Sequence, residues 1–118
     1  MICSGSAQNV IIIVIDGARY SETFELQDIY IPYMWNEMKP YGTIYEKFYN
    51  QGMTSTNPGH ASIATGTWQN IPNDGSDRPT MPTVFEYFRH QLSISQEKNY
   101  FIGGKSKLSV ISYSKHSN

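Results

Sequence analysis

One apolar run dominates the pattern of hydrophobic and polar positions. Asn9 is followed by six consecutive Val and Ile residues, and Asp16 and Gly17 come directly after them. A continuous β-branched run that is too short for a helix is typical of a strand buried on both faces inside a parallel sheet. Three further segments, residues 43–49, 100–102 and 108–113, favour strands by composition or by alternation.

Helix signals lie between these predicted strands. Pro32 predicts the start of a short helix with Met34, Trp35 and Met38 on one side, which Pro40 and Gly42 end. Asn57 as the N-cap, Pro58 as the first helical residue and Gly66 as the end predict a second helix. The loop of small polar residues before it therefore runs straight into a helix N-terminus.

Thr83 and Glu86 form a capping box that predicts a third helix, on which Phe85, Phe88 and Leu92 repeat at the spacing of one face. Strands and helices in this order predict the α/β class, with a three-layer αβα sandwich around a mostly parallel sheet. The expected organisation is a disordered or signal-peptide remnant at residues 1–8, a domain at residues 9–113 and a polar tail at residues 114–118.

Composition indicates an incomplete core. Apolar residues make up 39% of the 118, below the roughly 45–50% usual for a globular domain.

The 9 Lys and Arg against 10 Asp and Glu argue against binding to a nucleic acid duplex, which needs a basic surface. No run approaches the ~18 apolar residues of a membrane helix. Cys3 has no partner for an intrachain disulfide, and the small residues at positions 4–7 resemble the end of a signal peptide, which favours a periplasmic or secreted protein.

Two groups carry candidate chemistry. Asp16 follows the predicted buried strand, where a carboxylate needs a cation or hydrogen-bond donors, so it is a candidate metal ligand or a cap of the next turn. Thr54, Ser55 and Thr56 place three hydroxyls before a helix N-terminus, where free N–H groups favour an anion such as phosphate. The alternative is a hydroxyl-rich capping loop.

Residues 9–19 followed by residues 54–66 resemble the start of the alkaline phosphatase superfamily, in its type I phosphodiesterase and nucleotide pyrophosphatase branch. The resemblance implies an alkaline phosphatase-like fold, two zinc ions and hydrolysis of a small phosphate mono- or diester. By position, it implies that Asp16 is a zinc ligand and that Thr56 is both a ligand and the nucleophile. Asn57 would donate its backbone N–H to a phosphoryl oxygen.

Lys105 and Lys107 resemble a Lys-x-Arg pair with which some phosphatases of this group bind phosphate, although two solvated lysines explain the pattern equally well. Lys in place of Arg leaves a point charge instead of a bidentate donor. Asn70 and Asn73 are equal candidates for a family asparagine that contacts substrate. His60 is expected to pack or hydrogen-bond within its helix rather than to bind metal.

Members of this superfamily continue further and supply more Asp and His ligands, so the resemblance implies that these residues are the N-terminal part of a larger enzyme. The missing C-terminal part, or self-association, is then expected to cover the incomplete sheet. The alternatives are a catalytically inactive module that self-associates and a phosphomutase of the same superfamily.

Overall fold

The computed structural model of the protein describes residues 9–116, which divide into two compact units, residues 9–48 and residues 49–116. The first unit has no buried residue. After residues 9–15 and a turn at Asp16 and Gly17, it contains only short helical segments. These are three 3₁₀ helices at Tyr20–Glu22, Gln27–Ile29 and Lys39–Tyr41, and a π-helix at Tyr33–Met38.

The predicted αβα sandwich around a parallel sheet is wrong, because residues 9–116 contain no strand. The sequence signal for the first strand is nevertheless strong, and its six Val and Ile side chains are 43–83% exposed. A strand is defined by its hydrogen bonds to neighbours, and the described part of the chain supplies none to residues 10–15. Local propensity without a pairing partner does not make a sheet.

The other predicted strands fail for local reasons. Residues 43–49 and 100–102 are irregular, and a turn interrupts the first of them at Glu46 and Lys47. Residues 108–113 fall largely within a 3₁₀ helix, Ser106–Ser112. Leu108 and Ile111 are both buried there, and residues three apart share one face of a 3₁₀ helix. The alternation in this segment was therefore misread as that of a strand.

The second unit is built on two α-helices, α1 (Thr56–Thr65) and α2 (Val84–His90), with 3₁₀ helices at Gln96–Lys98 and Ser106–Ser112. Both α-helices were predicted. Helix α1 starts one residue before the predicted N-cap, with Ser55 as the N-cap. It ends at Gly66, whose φ of +69° is easily adopted by glycine and whose N–H donates to the Ser62 carbonyl.

The core of this unit lies between α1 and the 3₁₀ helix Ser106–Ser112. Its members are aliphatic residues contributed mainly by these two elements, with one residue from the intervening loop. They are Ala61, Ile71, Leu108, Val110 and Ile111. Ala64 and Phe101 pack against them, and the ring of Phe101 meets that of Phe85 edge to face at 5.7 Å. Apolar content this small explains why polar residues complete the interior.

Glu86 is the most connected of these buried polar residues. Its Oε2 accepts from the N–H of Thr83 at 2.7 Å and from the Thr83 hydroxyl at 2.9 Å. The first of these bonds, from the N-cap N–H to the Glu86 side chain, is one half of the predicted capping box. The same oxygen accepts from the N–H of Ser114 at 3.0 Å, and Oε1 accepts from the Ser114 hydroxyl at 2.9 Å. Burial by itself raises the pKa of the Glu86 carboxyl, but these hydrogen bonds outweigh burial and hold the pKa below its usual value.

Residues 114–116, the described part of the predicted polar tail, follow the body of the unit closely. Ser114 is buried on Glu86. Lys115 donates its N–H to the Pro79 carbonyl and forms an ion pair with Asp77. Arg78 lies over the ring of Tyr113 at 3.4 Å from its centre. These contacts hold residues 113–115 against the rest of the second unit.

The predicted remnant at residues 1–8, with Cys3 and the signal-like small residues, lies outside the described residues. Within residues 9–116, the helices are too short or too polar to cross a bilayer.

We expect Glu86→Gln to lower the free energy of unfolding of the second unit by about 1–3 kcal/mol at pH 7, because the new amide N–H₂ faces donors. The carboxyl pKa is lower in the folded state, so its stabilisation is present above the unfolded pKa and is lost as pH falls through the folded pKa. The wild type should therefore lose more stability than the variant between neutral and acidic pH. Urea unfolding at several pH values measures both effects. Exposed Glu97→Gln is the matched control, and an equal loss in the two variants would contradict the role of Glu86.

Candidate functional site

The predicted nucleophile, Thr56, is the first residue of α1 and is half-buried. It therefore lies at the start of the helix and not in the preceding loop, where Thr54 lies. Asn57 and Pro58 follow in the first turn and are both buried. The N–H groups of a first turn have no partner within their own helix, so they are available to side chains or ligands.

Asn57 joins this helix start to two distant parts of the chain. Its backbone N–H donates to Oδ1 of Asn73 at 3.0 Å. Its side-chain Nδ2 donates to the carbonyl of Lys107, fifty residues away, at 2.9 Å. Because Nδ2 is used in this way, the orientation of the amide is fixed, and its Oδ1 is buried without a partner among the described residues.

Lys107 completes the cluster from the other side. Its Nζ donates to the Asn73 carbonyl at 2.8 Å and to Asn73 Oδ1 at 3.2 Å. One amide oxygen thus accepts from both the Asn57 N–H and the Lys107 ammonium. These are the two donors to which the family resemblance gives a phosphate-binding role, from separate motifs.

Gly75 allows the backbone of Lys107 to come this close. It has a φ of +85°, and a Cβ built on it would lie 2.9 Å from the Lys107 Cα and carbonyl oxygen. Any larger residue would force these two backbones apart. The Lys107 main chain is therefore held by the Asn57 side chain and by the close approach of Gly75, while its ammonium is held by Asn73.

The charge around this cluster is mixed. The hydrogen bonds of Ser76 hold the pKa of the Asp74 carboxyl below its usual value, and the charge of Lys107 contributes to the same shift.

His60 makes a 2.7 Å hydrogen bond through Nδ1 to the carbonyl of Thr56. A carbonyl only accepts, so the proton is on Nδ1. The prediction that His60 bonds within its helix is confirmed.

The remaining predicted site residues lie elsewhere. Asp16 is exposed in the first unit, in the turn with Gly17, whose φ is +82°. Lys105 is exposed and precedes the 3₁₀ helix Ser106–Ser112 as its N-cap, two residues before Lys107. The contacts described above thus join Asn57 to Lys107, while Asp16 belongs to the other unit.

The donors for zinc do not form a site by themselves. In the part of the chain that the structure describes, no three His, Cys, Asp or Glu side chains gather closely enough to hold a metal ion. A zinc site needs about four ligands. Within the described residues, Asp16 and the Thr56 hydroxyl would supply only part of a zinc ligand set.

Sequence reasoning left Asn70 and Asn73 equivalent and did not single out Gly75. The structure separates the two asparagines, because Asn70 is exposed with no hydrogen bond to its side chain among residues 9–116, whereas Asn73 accepts from Asn57 and Lys107. The Pro-Asn-Asp-Gly sequence at 72–75 is a turn signal. That signal indicated a tight turn but not what the turn packs against.

One concave surface of this unit has no predicted site residue in its wall. It encloses about 350 Å³ and is lined by three aromatic rings, two amides, two hydroxyls and one guanidinium, from Phe85, Arg89, Gln96, Asn99, Phe101, Ser109, Ser112 and Tyr113. Asn99 supports its edge by donating from Nδ2 to the Phe85 carbonyl at 2.8 Å. It is lined by other residues than the cluster at the start of α1.

Comparison with protein-family models, with curated proteins and with solved structures finds no significant match to this chain. What the cluster does therefore has to follow from its own groups. These are a main-chain N–H, an ammonium, a hydroxyl and two amide side chains, at the positive end of a helix dipole. N–H and ammonium donors at a helix N-terminus are suited to an oxyanion.

We expect Gly75→Ala to destabilise the second unit by about 2–5 kcal/mol, the sum of left-handed strain and overpacking against Lys107. Gly66→Ala is the matched control, because Gly66 also has a positive φ but no atom lies within 4 Å of a Cβ built there. It should cost only about 1–2 kcal/mol, from strain alone. Chemical denaturation of both variants separates the two terms. Equal costs would mean that the close approach to Lys107 is not constraining.

Proposed function

We propose that this chain acts in the hydrolysis of small phosphate mono- or diesters, with Thr56 as the nucleophile and with Asn57 and Lys107 as phosphate-binding residues. The observation that carries the proposal is the shared acceptor. The Asn57 N–H and the Lys107 ammonium converge on one oxygen beside the helix that begins at Thr56. Two donors aimed at one point define where an anionic oxygen is stabilised.

In this proposal, a phosphoryl oxygen replaces Oδ1 of Asn73 and accepts from both donors. Lys107 keeps its hydrogen bond to the Asn73 carbonyl, so the ammonium does not have to move. The Thr56 oxygen then forms a bond to phosphorus and loses its proton, while the bond to the leaving oxygen breaks and that oxygen takes up a proton to leave as the alcohol. Water cleaves the resulting phosphothreonine ester and restores the Thr56 hydroxyl, releasing phosphate from a monoester or a phosphate monoester from a diester.

The family resemblance also proposes two zinc ions, with Asp16 and Thr56 among their ligands, and Lys105 as a second phosphate-binding lysine. The described residues do not complete a metal site, so the further ligands would belong to the complete enzyme, of which this chain would be the N-terminal part. No step assigned above to Asn57 or Lys107 depends on the metal. A chelator should abolish turnover while leaving phosphate binding by this cluster measurable.

A catalytically inactive, self-associating module is the second candidate function. The observation that favours it is the exposure of the six Val and Ile side chains of residues 10–15. Nothing in the described residues favours a phosphomutase, which needs a pocket for a phosphosugar. Metal content and turnover of a chromogenic phosphate ester distinguish the two candidates, because the module predicts neither.

In the complete enzyme, Thr56→Ala should eliminate the labelled phosphoenzyme that forms with a radiolabelled phosphate ester, because no hydroxyl remains at that position. Its thermal unfolding should change little, since Thr56 is only half-buried at the start of α1. Acid-quenched labelling followed by peptide mapping measures this. Ser55→Ala is the neighbouring control. Loss of labelling in Ser55→Ala but not in Thr56→Ala would place the nucleophile one residue earlier.

Lys107→Met should weaken binding of inorganic phosphate by ~10- to 100-fold, the effect of losing one hydrogen bond from a charged donor. Titration calorimetry on the 118-residue chain measures the dissociation constant. Lys98→Met removes an exposed lysine of the same unit and should leave binding unchanged. Equal affinities in the wild type and Lys107→Met would overturn the assignment of Lys107 to phosphate.

A further inference from the structure

The concave surface beside α2 is a candidate ligand site outside the α1 cluster. Its wall is built from α2, from residues 96–101 and from residues 109–113, where the 3₁₀ helix Ser106–Ser112 ends, all within the second unit. Its volume of about 350 Å³ lies at the lower end of the range of small-molecule pockets, which are mostly apolar with a few polar groups. A surface of this size and composition is suited to a small organic molecule.

Aromatic rings supply the apolar part of this wall. Phe85 and Phe101 meet edge to face, with 71° between their ring planes, and both are only half-buried. Tyr113 is 48% exposed, although Arg78 lies over its ring. Aromatic rings pack favourably against a further ring in edge-to-face or offset arrangements. The uncovered parts of these rings therefore favour a ligand that is itself aromatic.

Arg89 is the one charged residue among those that line this surface. It is half-buried, and no hydrogen bond, ion pair or ring contact joins its guanidinium to another described residue. Its Nε is buried without an acceptor. A guanidinium carries five N–H donors, and a buried donor that lacks an acceptor is destabilising. The wall therefore lacks an acceptor for Arg89.

The residues near Arg89 do not supply that acceptor. Glu86 lies three positions earlier on α2, but its carboxylate oxygens accept from Thr83 and Ser114. No Asp or Glu side chain is among the residues that line the surface. A helix C-terminus favours a cation such as Arg89, but a dipole accepts none of its N–H groups. An anion from outside the chain is the acceptor that fits.

The neutral polar groups of the wall divide into two kinds. Asn99 and Ser112 donate to main-chain carbonyls of the wall, at 2.8 Å each, and so support its shape. The Gln96 amide and the Ser109 hydroxyl make no hydrogen bond among the described residues. These two groups remain available to orient a polar group of a ligand.

We propose that this surface binds a small aromatic carboxylate, with its ring against Phe85 and Phe101 and its carboxylate on the Arg89 guanidinium. The planar guanidinium donates two parallel N–H bonds to a carboxylate. One cation in the wall matches one negative charge, so a carboxylate fits better than a doubly charged phosphate. This site goes beyond the proposed hydrolysis and uses none of the residues assigned to phosphate.

A ligand series on the wild type tests the chemistry without any substitution. In an amide NMR titration of the isotope-labelled 118-residue chain, phenylacetate should cause saturable shifts at the residues that line the surface. Phenylacetamide lacks the charge and acetate lacks the ring, so each should bind at least ~10-fold more weakly. Absence of saturable shifts with millimolar phenylacetate, or equal affinity for either analogue, would overturn the proposal. Shifts centred on Asn57 and Lys107 would place the anion at the α1 cluster and overturn the location.

Arg89→Gln tests the assigned cation. It should weaken binding of phenylacetate by ~10- to 100-fold, the effect of losing hydrogen bonds from a charged donor, and should leave binding of phenylacetamide unchanged. Arg89→Lys keeps the charge without the paired donors and should have an intermediate affinity. Arg19→Gln is the matched control, because it removes the same charge from an exposed arginine of the first unit.

Three outcomes would contradict the role of Arg89. Unchanged affinity for phenylacetate in Arg89→Gln would show that the guanidinium does not hold the carboxylate. Equal weakening in Arg19→Gln would show a general effect of net charge. Equal weakening of phenylacetate and phenylacetamide in Arg89→Gln would show that Arg89 shapes the wall and does not bind the anion.

Discussion

The second unit depends on the contact between helix α1 and the 3₁₀ helix Ser106–Ser112. Ala61 and Ile111 are completely buried within it, and the Asn57 side chain ties the two elements together through the Lys107 carbonyl. A core of five small or medium apolar residues contributes little burial free energy. Hydrogen bonds between buried polar groups therefore have to fix the arrangement that apolar packing alone would leave loose. The residues that make these bonds are Asn57, Thr83, Glu86 and Ser114.

The first unit shows the opposite balance. It contains the whole of the long apolar run, residues 10–15, yet none of its residues from 9 to 48 is buried. Its aromatic and aliphatic side chains have no core to enter, and its helices are single turns or a π-helix, which are marginal without tertiary packing. The Val and Ile run at residues 10–15 is the strongest local signal in the sequence, yet residues 9–116 provide neither a core nor a neighbouring strand for it.

This contrast explains what the sequence could predict. The helices at 56–65 and 84–90 were found because their signals are local: a proline and glycine around the first, and Thr83 with Glu86 at the second. The sheet was wrong because strands need partners distant in sequence, which periodicity does not reveal. The family resemblance singled out Asn57 and Lys107, and the helix N-terminus supported Asn57. Asn73 was not separated from Asn70, since that choice depends on how the loop at 72–75 packs against Lys107.

The contact between Asn57 and Lys107 also closes a loop of fifty residues. Closing a loop of that length has a substantial entropic cost that local helix formation does not recover, so the contact forms only when most of the unit is already folded. The two halves of the α1 cluster cannot come together in a partly folded chain. Any anion that binds between them is therefore linked to the folding of the entire unit, and a nick in the intervening chain would raise the entropic cost of holding the two halves together without touching either.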